Sequence, residues 1–197
     1  MDKIEYFLKS KDKALNNLKK AKKYKKLDGD IEKIIKLINS NKDYFTSSSC
    51  SWRIVVIELP NLGNKKEAKF LKKWHREIKY SEIMAAIQLT NSGMIWLLAQ
   101  SPILHVITKS YLLADKIVKI AISSGFKNSG FKSTTKNIIV EICSTERLDS
   151  PIGNNGLLFA NNEHLNFLVY ISNHIIKRSK KKLNIFEKNL IKNYNKV

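Results

Sequence analysis

The stretch Tyr44-Phe-Thr-Ser-Ser-Ser-Cys-Ser-Trp-Arg53 lies between an amphipathic helical segment and an apolar run with strand character. It holds four serines, a thiol and a guanidinium within ten residues. Hydroxyl groups and backbone N–H groups at the edge of a sheet, beside a planar arginine, are suited to binding phosphate or carboxylate. The pattern therefore indicates a polar, anion-binding elbow. A turn whose serines bond to their own backbone is the alternative.

Helix and strand patterns alternate on both sides of this elbow. The isoleucines at 31, 34, 35 and 38 recur at helical spacing and predict a helix over residues 31–40, with Asp30 as its N-cap. Arg53-Ile-Val-Val-Ile-Glu-Leu59 is β-branched and predicts a strand that ends before Pro60. Similar patterns predict helices over 3–26, 80–90, 111–124 and 163–180, and strands over 94–100, 104–108 and 137–143.

This order of elements predicts an α+β fold with a mixed sheet and flanking helices. The length of 197 residues fits a single domain over 1–197. No glycine-rich G-x-G-x-x-G turn follows any predicted strand, which argues against a Rossmann-type fold. We expect a lysine-rich helical segment over 1–28 and a basic C-terminal tail over 177–197.

The charge of the chain indicates a polyanionic partner. Lys and Arg number 36 against 17 Asp and Glu, which gives a net charge of +19. Residues 1–27 hold ten lysines against three acids, and residues 177–197 hold eight basic residues against one acid. Such a surface suits a phosphate backbone and predicts an affinity that falls with salt. A basic surface without any such partner is the alternative.

Several classes of protein are disfavoured by the residues present. Two cysteines, Cys50 and Cys143, do not make a disulfide framework or a four-cysteine zinc site. The four histidines are far apart, so no metal site is expected. No apolar run approaches the ~18 residues of a membrane span. We therefore expect a cytoplasmic protein that does not insert into membranes.

Four separated motifs together resemble one family. They are the elbow itself, Ser101-Pro-Ile-Leu-His105, Gly125-Phe-Lys-Asn-Ser-Gly130, and Ile139-Val-Glu-Ile142 leading into Arg147-Leu-Asp149 and Pro151. In this order and spacing the chain resembles the tRNA wybutosine-synthesizing protein 3 family over roughly residues 30–175. The resemblance implies a methyltransferase that uses S-adenosyl-L-methionine to methylate N4 of a tricyclic wyosine-type guanosine. That base lies next to the anticodon of tRNA(Phe).

The chain departs from the family pattern at three places. Trp52 stands where glycine is usual, so the ring either stacks on a base or on the cofactor's adenine, or disables the site. Lys127 stands where arginine is usual, which keeps the charge and loses the bidentate geometry. The segment before the second strand, which carries glycine and tryptophan in the family, is reduced to Ser92-Gly93-Met94-Ile95-Trp96.

The resemblance also suggests roles for individual residues. Methyl transfer from a sulfonium needs positioning and a desolvated pocket more than a strong acid. His105 is the candidate catalytic residue, which hydrogen-bonds the base or takes the proton from the ring nitrogen, although a core histidine is nearly as good an interpretation. The candidate contacts to the cofactor or to phosphate are Ser47, Ser49, Ser51, Arg53, Asn128, Ser129 and Gly130.

Other interpretations stay open at this point. Glu141 is able to balance a sulfonium, but an outward-facing strand glutamate is the simpler view. A basic RNA-binding protein without catalysis would keep the lysines and lose cofactor binding. An interaction protein that docks an acidic partner through its lysine-rich helices is a further alternative.

Overall fold

The computed structural model describes residues 3–63, 65–133 and 137–194. The outermost residues of the predicted segments 1–28 and 177–197 therefore lie outside the described part of the chain. The described residues form five α-helices: α1 Lys3–Lys23, α2 Gly29–Ser40, α3 Tyr80–Ile87, α4 Tyr111–Ser123 and α5 Asn162–Tyr194. They also form nine strands: β1 Tyr44–Cys50, β2 Arg53–Leu59, β3 Lys69–Trp74, β4 Met94–Gln100, β5 Ile103–Thr108, β6 Gly130–Ser133, β7 Ile138–Cys143, β8 Arg147–Asn154 and β9 Leu157–Leu158.

The chain divides into two compact units. Unit 1 comprises Met1–Ser51, Pro102–Thr145 and Lys180–Val197, and unit 2 comprises Trp52–Ser101 and Glu146–Ser179. Each unit is built on one antiparallel sheet. The order is β1-β5-β7-β6 in unit 1 and β3-β2-β4-β8-β9 in unit 2.

The sheet of unit 1 has two faces of different character. Leu104, Val106, Val140 and Ile142 point to one face and are fully buried. The opposite face, called here the α1 face, carries Phe45, Ile107 and Ile139 at one end, where Phe7 of α1 packs against them. Because side chains alternate along each strand, His105 and Glu141 share the α1 face with these residues. The predicted helix α2 buries all four of its isoleucines, as its spacing requires.

Unit 2 has its core on the sheet strands β2 and β4. Ile54, Val56, Ile95, Leu97 and Ala99 are fully buried there. The N-terminal half of α5 lies in this unit and buries Leu165, Leu168, Val169, Ile175 and Ile176. No helix among the described residues is long and apolar enough to cross a membrane.

The α+β class is confirmed, and the antiparallel pairing of all the described strands excludes a Rossmann-type parallel sheet. The expected mixed sheet is wrong, because two separate antiparallel sheets take its place. Strand patterns reveal which residues alternate between faces, but not the direction of the neighbouring strand. Asp30 is also not the N-cap: that position belongs to Asp28, and Asp30 lies in the first turn of α2.

The serine elbow is a strand in the structure rather than a turn. Tyr44–Cys50 pairs antiparallel with β5 along its length, with one irregularity between Thr46 and Ser48. Short polar side chains are depleted from buried strands, which is why the pattern predicted a loop. They are tolerated in this strand because its second half is only partly covered. The strands β3, β6, β8 and β9 were not predicted, and α5 runs to Tyr194 rather than ending near residue 180.

Candidate functional site

A row of polar side chains crosses the α1 face of unit 1 at one level of the sheet. Ser48 of β1 lies opposite His105 of β5, and His105 lies opposite Glu141 of β7. Ser48 Oγ is 2.7 Å from His105 Nδ1, and His105 Nε2 is 2.7 Å from Glu141 Oε2. Both nitrogens of the imidazole are therefore engaged, one by a hydroxyl group and the other by a carboxylate. We call Ser48, His105 and Glu141 the polar row.

Lys132 extends this row by one further charge. Its Nζ lies 3.3 Å from Glu141 Oε1, the carboxylate oxygen that His105 does not contact. The hydrogen bond from His105 lowers the pKa of Glu141, and Lys132 acts in the same direction against the opposing effect of burial. Glu141 is thus ionised at neutral pH. The row is neither core nor fully solvated, since about a quarter of the His105 and Glu141 side chains is exposed, 27% and 25%.

An open cleft of about 330 Å³ lies at the Glu141 end of the polar row. It is lined by Lys127, Asn128, Ser129, Gly130, Phe131, Lys132 and Glu141. Gly130 pairs with Glu141 across the two strands, so a side chain at this position would point to the same face as the carboxylate. A Cβ at Gly130 would meet no heavy atom within 4 Å. We call this space the Gly130 cleft.

Hydrogen bonds of Ser129 and Cys143 hold the turn that enters β6. Ser129 Oγ donates to the carbonyl oxygen of Phe126 at 2.7 Å and accepts from the backbone N of Cys143 at 3.3 Å. The Cys143 thiol donates to the carbonyl oxygen of Asn128 at 3.1 Å. Burial raises the pKa of Cys143, which makes this thiol a packing group rather than a nucleophile. Ser129 thus holds the turn, and Asn128 lines the Gly130 cleft beside it.

The serines predicted to act together are separated by the strand. Ser47 lies at the irregularity of β1 and is exposed. Ser49 pairs with Leu104 and so shares the buried face of the sheet, opposite to His105. Ser51 is fully buried, and its backbone N and Oγ both donate to Asp28 Oδ2, at 2.9 and 3.1 Å. The polar row therefore contains none of the three serines, and Ser48 takes the place expected for them.

Arg53 belongs to unit 2, at the start of β2. Its Nε donates to Gln100 Oε1 at 2.5 Å, and the guanidinium lies 5.9 Å from the centre of the Phe70 ring. The two terminal nitrogens make no hydrogen bond to any residue that the structure describes. The bond to Gln100 and the contact with Phe70 hold the guanidinium in one orientation. Its two terminal nitrogens are then able to bind an anion in a bidentate manner.

Trp52 does not act as a stacking platform. Its side chain is 2% exposed, and the indole Nε1 donates to the backbone carbonyl oxygen of His75 at 3.2 Å. The expectation that the ring stacks on a base or on adenine is therefore wrong. The backbone gives no reason for a glycine either, because the residues other than glycine with positive φ are Lys25 and Asn155 within the described ranges.

Three residues of the site were missed or undervalued from the sequence. Ser48 sits in the quoted serine run, but only the register with β5 singles it out from its neighbours. The sequence allows Glu141 either to balance a sulfonium or to face outward from its strand, and its alternation with buried Val140 and Ile142 does not reveal the His105 bond. Asp28, which bonds to Ser51, precedes a glycine in a short polar turn and carries the signal of an N-cap.

The comparisons with known proteins identify the family of the chain. The family model described as Methyltransferase TYW3 matches residues 9–192. A tRNA(Phe) 7-((3-amino-3-carboxypropyl)-4-demethylwyosine(37)-N(4))-methyltransferase 1 of Pyrococcus horikoshii is 47% identical over 184 residues, which cover 93% of this chain and 94% of that protein. The protein of the same name from Thermococcus kodakarensis is 41% identical over 189 residues, with 95% and 96% covered.

Solved structures show the same fold. The PH1069 protein from Pyrococcus horikoshii superposes with a TM-score of 0.91 at 46% identity, covering 96% of this chain and 98% of that one. A hypothetical protein from Aeropyrum pernix gives a TM-score of 0.72 at 26% identity, covering 83% and 96%. The match of the family model over nearly the whole chain, together with these identities, shows that the chain belongs to the TYW3 methyltransferase family.

Proposed function

We propose that this protein transfers a methyl group from S-adenosyl-L-methionine to N4 of the 4-demethylwyosine-type base at position 37 of tRNA(Phe). Membership of the family supports the reaction class, and the relatives that are 41–47% identical carry this activity in their names. The structural observation that carries the proposal is the polar row of Ser48, His105 and Glu141 beside the Gly130 cleft.

The groups around the Gly130 cleft fit the charges of the methyl donor. The donor carries a carboxylate, an ammonium group and a sulfonium. Lys127 and Lys132 supply two ammonium groups for a carboxylate, and Glu141 supplies a carboxylate for a positive charge. A volume of about 330 Å³ is at the lower end of the roughly 300–1,000 Å³ found for small-molecule sites.

Each predicted contact has a chemical task in this proposal. Asn128 offers an amide to the cofactor. Ser129 and Gly130 line the cleft, and the space beside Gly130 is open because glycine has no side chain. Ser47 and Ser49 remain candidate cofactor contacts outside the polar row, whereas Ser51 is fully buried and bonded to Asp28 and so positions the chain that precedes Arg53. Arg53 is the proposed partner of a carboxylate or phosphate in unit 2.

His105 is the proposed catalytic residue. Methylation of a ring nitrogen that carries hydrogen releases one proton, whereas the departing thioether is neutral and needs no acid. An imidazole beside an ionised carboxylate is well suited to accept that proton, because the carboxylate stabilises the imidazolium that forms. The bound cofactor supplies the electrophilic methyl group, and the residues of the chain orient the base and remove its proton.

Nucleoside mass spectrometry tests this function. Hypomodified tRNA(Phe) is incubated with the purified protein and methyl-labelled S-adenosyl-L-methionine, and the digested nucleosides are analysed. We expect one labelled methyl on the tricyclic base. Tight tRNA binding without any labelled nucleoside would instead support a basic RNA-binding protein without catalysis.

A further inference from the structure

The polar row determines which ring nitrogen of His105 is basic. Glu141 is ionised, so its oxygens only accept hydrogen bonds. At 2.7 Å, His105 Nε2 must therefore carry the hydrogen that it donates to Glu141 Oε2. In the neutral imidazole the lone pair is then on Nδ1, and the Ser48 hydroxyl group donates to it at 2.7 Å.

This assignment means that a substrate cannot reach the basic nitrogen directly. Ser48 Oγ already occupies the position in front of Nδ1. Ser48 is itself exposed, and its oxygen has a lone pair available for a further hydrogen bond. The atom of the polar row that can contact a nitrogen-bound hydrogen of a ligand is therefore Ser48 Oγ, with His105 behind it.

We infer that Ser48 relays the released proton to His105 and that Glu141 is the positioning residue that makes this transfer possible. The inference rests on the proposed methyl transfer. As the N–CH3 bond forms from the nitrogen lone pair, the C–S bonding pair returns to sulfur and the N–H bond breaks. The proton joins Ser48 Oγ, the original hydroxyl proton moves to His105 Nδ1, and the resulting imidazolium is balanced by Glu141.

Lys132 keeps the transferred proton on His105. Because its Nζ lies 3.3 Å from Glu141 Oε1, it favours the ionised carboxylate and disfavours transfer of the imidazolium proton onward to Glu141. The proton therefore stays on His105 until solvent removes it. A purely structural cross-strand row would also hold the strands together, but its hydrogen bonds would have no effect on a proton-transfer step.

Single-turnover methyl transfer measured across pH, with saturating labelled cofactor, tests the relay. Ser48→Ala should slow transfer by about 100-fold, the lower end of the effect of general-base catalysis, and Ser48→Thr should restore much of it. Cofactor affinity and the unfolding temperature should stay near those of the wild type. The control variant Ser123→Ala removes a hydroxyl group bonded to the carbonyl oxygen of Ile120 in the same unit and should transfer methyl normally. Wild-type transfer by Ser48→Ala would overturn the relay.

The ¹⁵N shifts of His105 test the role of Glu141 separately, with His105→Asn to assign the signals. We expect a single Nε2–H tautomer in the wild type and a mixture in Glu141→Gln, accompanied by a shifted pH–rate profile. Glu32→Gln, which removes a partly exposed carboxylate paired with two lysines, should change neither. An unchanged tautomer in Glu141→Gln would overturn the positioning role.

The two measurements also separate the inference from the proposed function. Label transferred equally by the wild type and Ser48→Ala would refute the relay and leave the methyltransferase proposal intact. If the wild type transferred no label, the proposed function and the relay that rests on it would both fail. The tautomer of His105 would still show whether Glu141 positions the ring.

Discussion

The indole Nε1 of Trp52 donates a hydrogen bond to the backbone carbonyl oxygen of His75 at 3.2 Å. The ring that replaces the family's glycine is thus a core residue of unit 2, tied to the segment that follows β3. We expect Trp52→Ala to lower the free energy of unfolding by about 3–5 kcal/mol, because it leaves a cavity the size of an indole. Trp52→Phe should cost less, since it keeps most of the ring and loses one hydrogen bond of about 1 kcal/mol.

Urea denaturation followed by far-UV circular dichroism measures these changes. Leu62→Ala is a suitable control, because Leu62 is 77% exposed. Equal denaturation midpoints for Trp52→Ala and the wild type would contradict the core role. Loss of tRNA binding in Trp52→Phe without loss of stability would indicate that the Trp52 ring stacks on a base of the tRNA.

Much of the fold could be predicted because its elements carry strong local patterns. The isoleucine spacing of α2 and the β-branched run of β2 each put one type of residue on one face, and both were found. The strand β3, with sequence KFLKKW, was missed because it is largely exposed and lysine-rich. Exposed strands are specified by their partner rather than by their own composition.

Part of the site could also be predicted from local sequence patterns. His105 stands out as the one histidine within an apolar strand pattern, and Asn128-Ser-Gly130 as a turn. The partners of His105 depend on the register of three strands, which places Ser48 and Glu141 level with it. Register is a long-range property that a single sequence does not reveal, so the serine pattern predicts Ser47 and Ser49 as contacts and does not single out Ser48.

Gly130 allows the cleft to be filled without disturbing the fold. A Cβ there meets nothing within 4 Å, and its φ does not lie in the left-handed region. We expect Gly130→Val to keep the unfolding free energy within about 0.5 kcal/mol, as for a surface site, because β-branched residues suit a strand. Cofactor affinity, measured by calorimetry, should fall by about 10-fold or more if the cleft loses a polar contact worth ~1.5 kcal/mol.

The matched control is Gly29→Val, because Gly29 also has open space around it and lies at the start of α2. It should leave cofactor binding unchanged. Normal binding by Gly130→Val would remove the Gly130 cleft from the cofactor site.

Arg53 separates cofactor binding from RNA binding. Loss of a charged hydrogen bond costs ~1.5–3 kcal/mol, so Arg53→Ala should weaken cofactor binding by about 10-fold or more. Its tRNA affinity, measured by filter binding, should change little, since the positive charge is spread over many lysines. Arg76→Ala, an exposed arginine paired with Glu82 in the same unit, is the control. Intact cofactor binding and turnover in Arg53→Ala would show that this assignment is wrong.

The positive charge is unevenly shared between the two units, which predicts where RNA phosphates bind. Unit 1 has 25 Lys and Arg against 10 Asp and Glu, a net charge of +15, whereas unit 2 has 11 against 7, a net charge of +4. Several exposed lysines of α1 form no ion pair with any residue in the described ranges, among them Lys13, Lys19, Lys20 and Lys23. We expect these lysines to contact the phosphate backbone.

Salt dependence tests that expectation. Between ~50 and ~200 mM salt the tRNA affinity of the wild type should fall at least severalfold, because phosphate contacts release counterions. Replacing the four α1 lysines by glutamine should reduce the slope of log K against log salt by up to about 3. The same number of replacements in unit 2, at Lys66, Lys69, Lys72 and Lys73, should have a smaller effect. Equal slopes for the two variants would mean that tRNA affinity depends on the total positive charge of the protein and not on the α1 lysines in particular.

The pKa of Glu82 determines how its contribution to the stability of unit 2 changes with pH. Arg76 NH2 lies 2.6 Å from Glu82 Oε1, and the backbone N of Lys79 donates to Oε2 at 2.9 Å. These bonds, that of Arg76 first, lower the pKa of Glu82 from 4.5 to about 2. A carboxyl group whose pKa is lower in the folded state stabilises the fold above its unfolded pKa. This stabilisation is complete above about pH 4.5 and is lost as the pH falls toward 2.

Glu82→Gln should therefore unfold more easily than the wild type at pH 7. The difference in the free energy of unfolding should shrink steadily below pH 4.5 and vanish near pH 2. Urea denaturation at a series of pH values measures it, and Glu163→Gln, for which no salt bridge is present among the described residues, should show no such trend. A difference that stayed constant with pH would mean that Glu82 stabilises α3 through packing rather than through its charge, because only a titrating group links stability to protons.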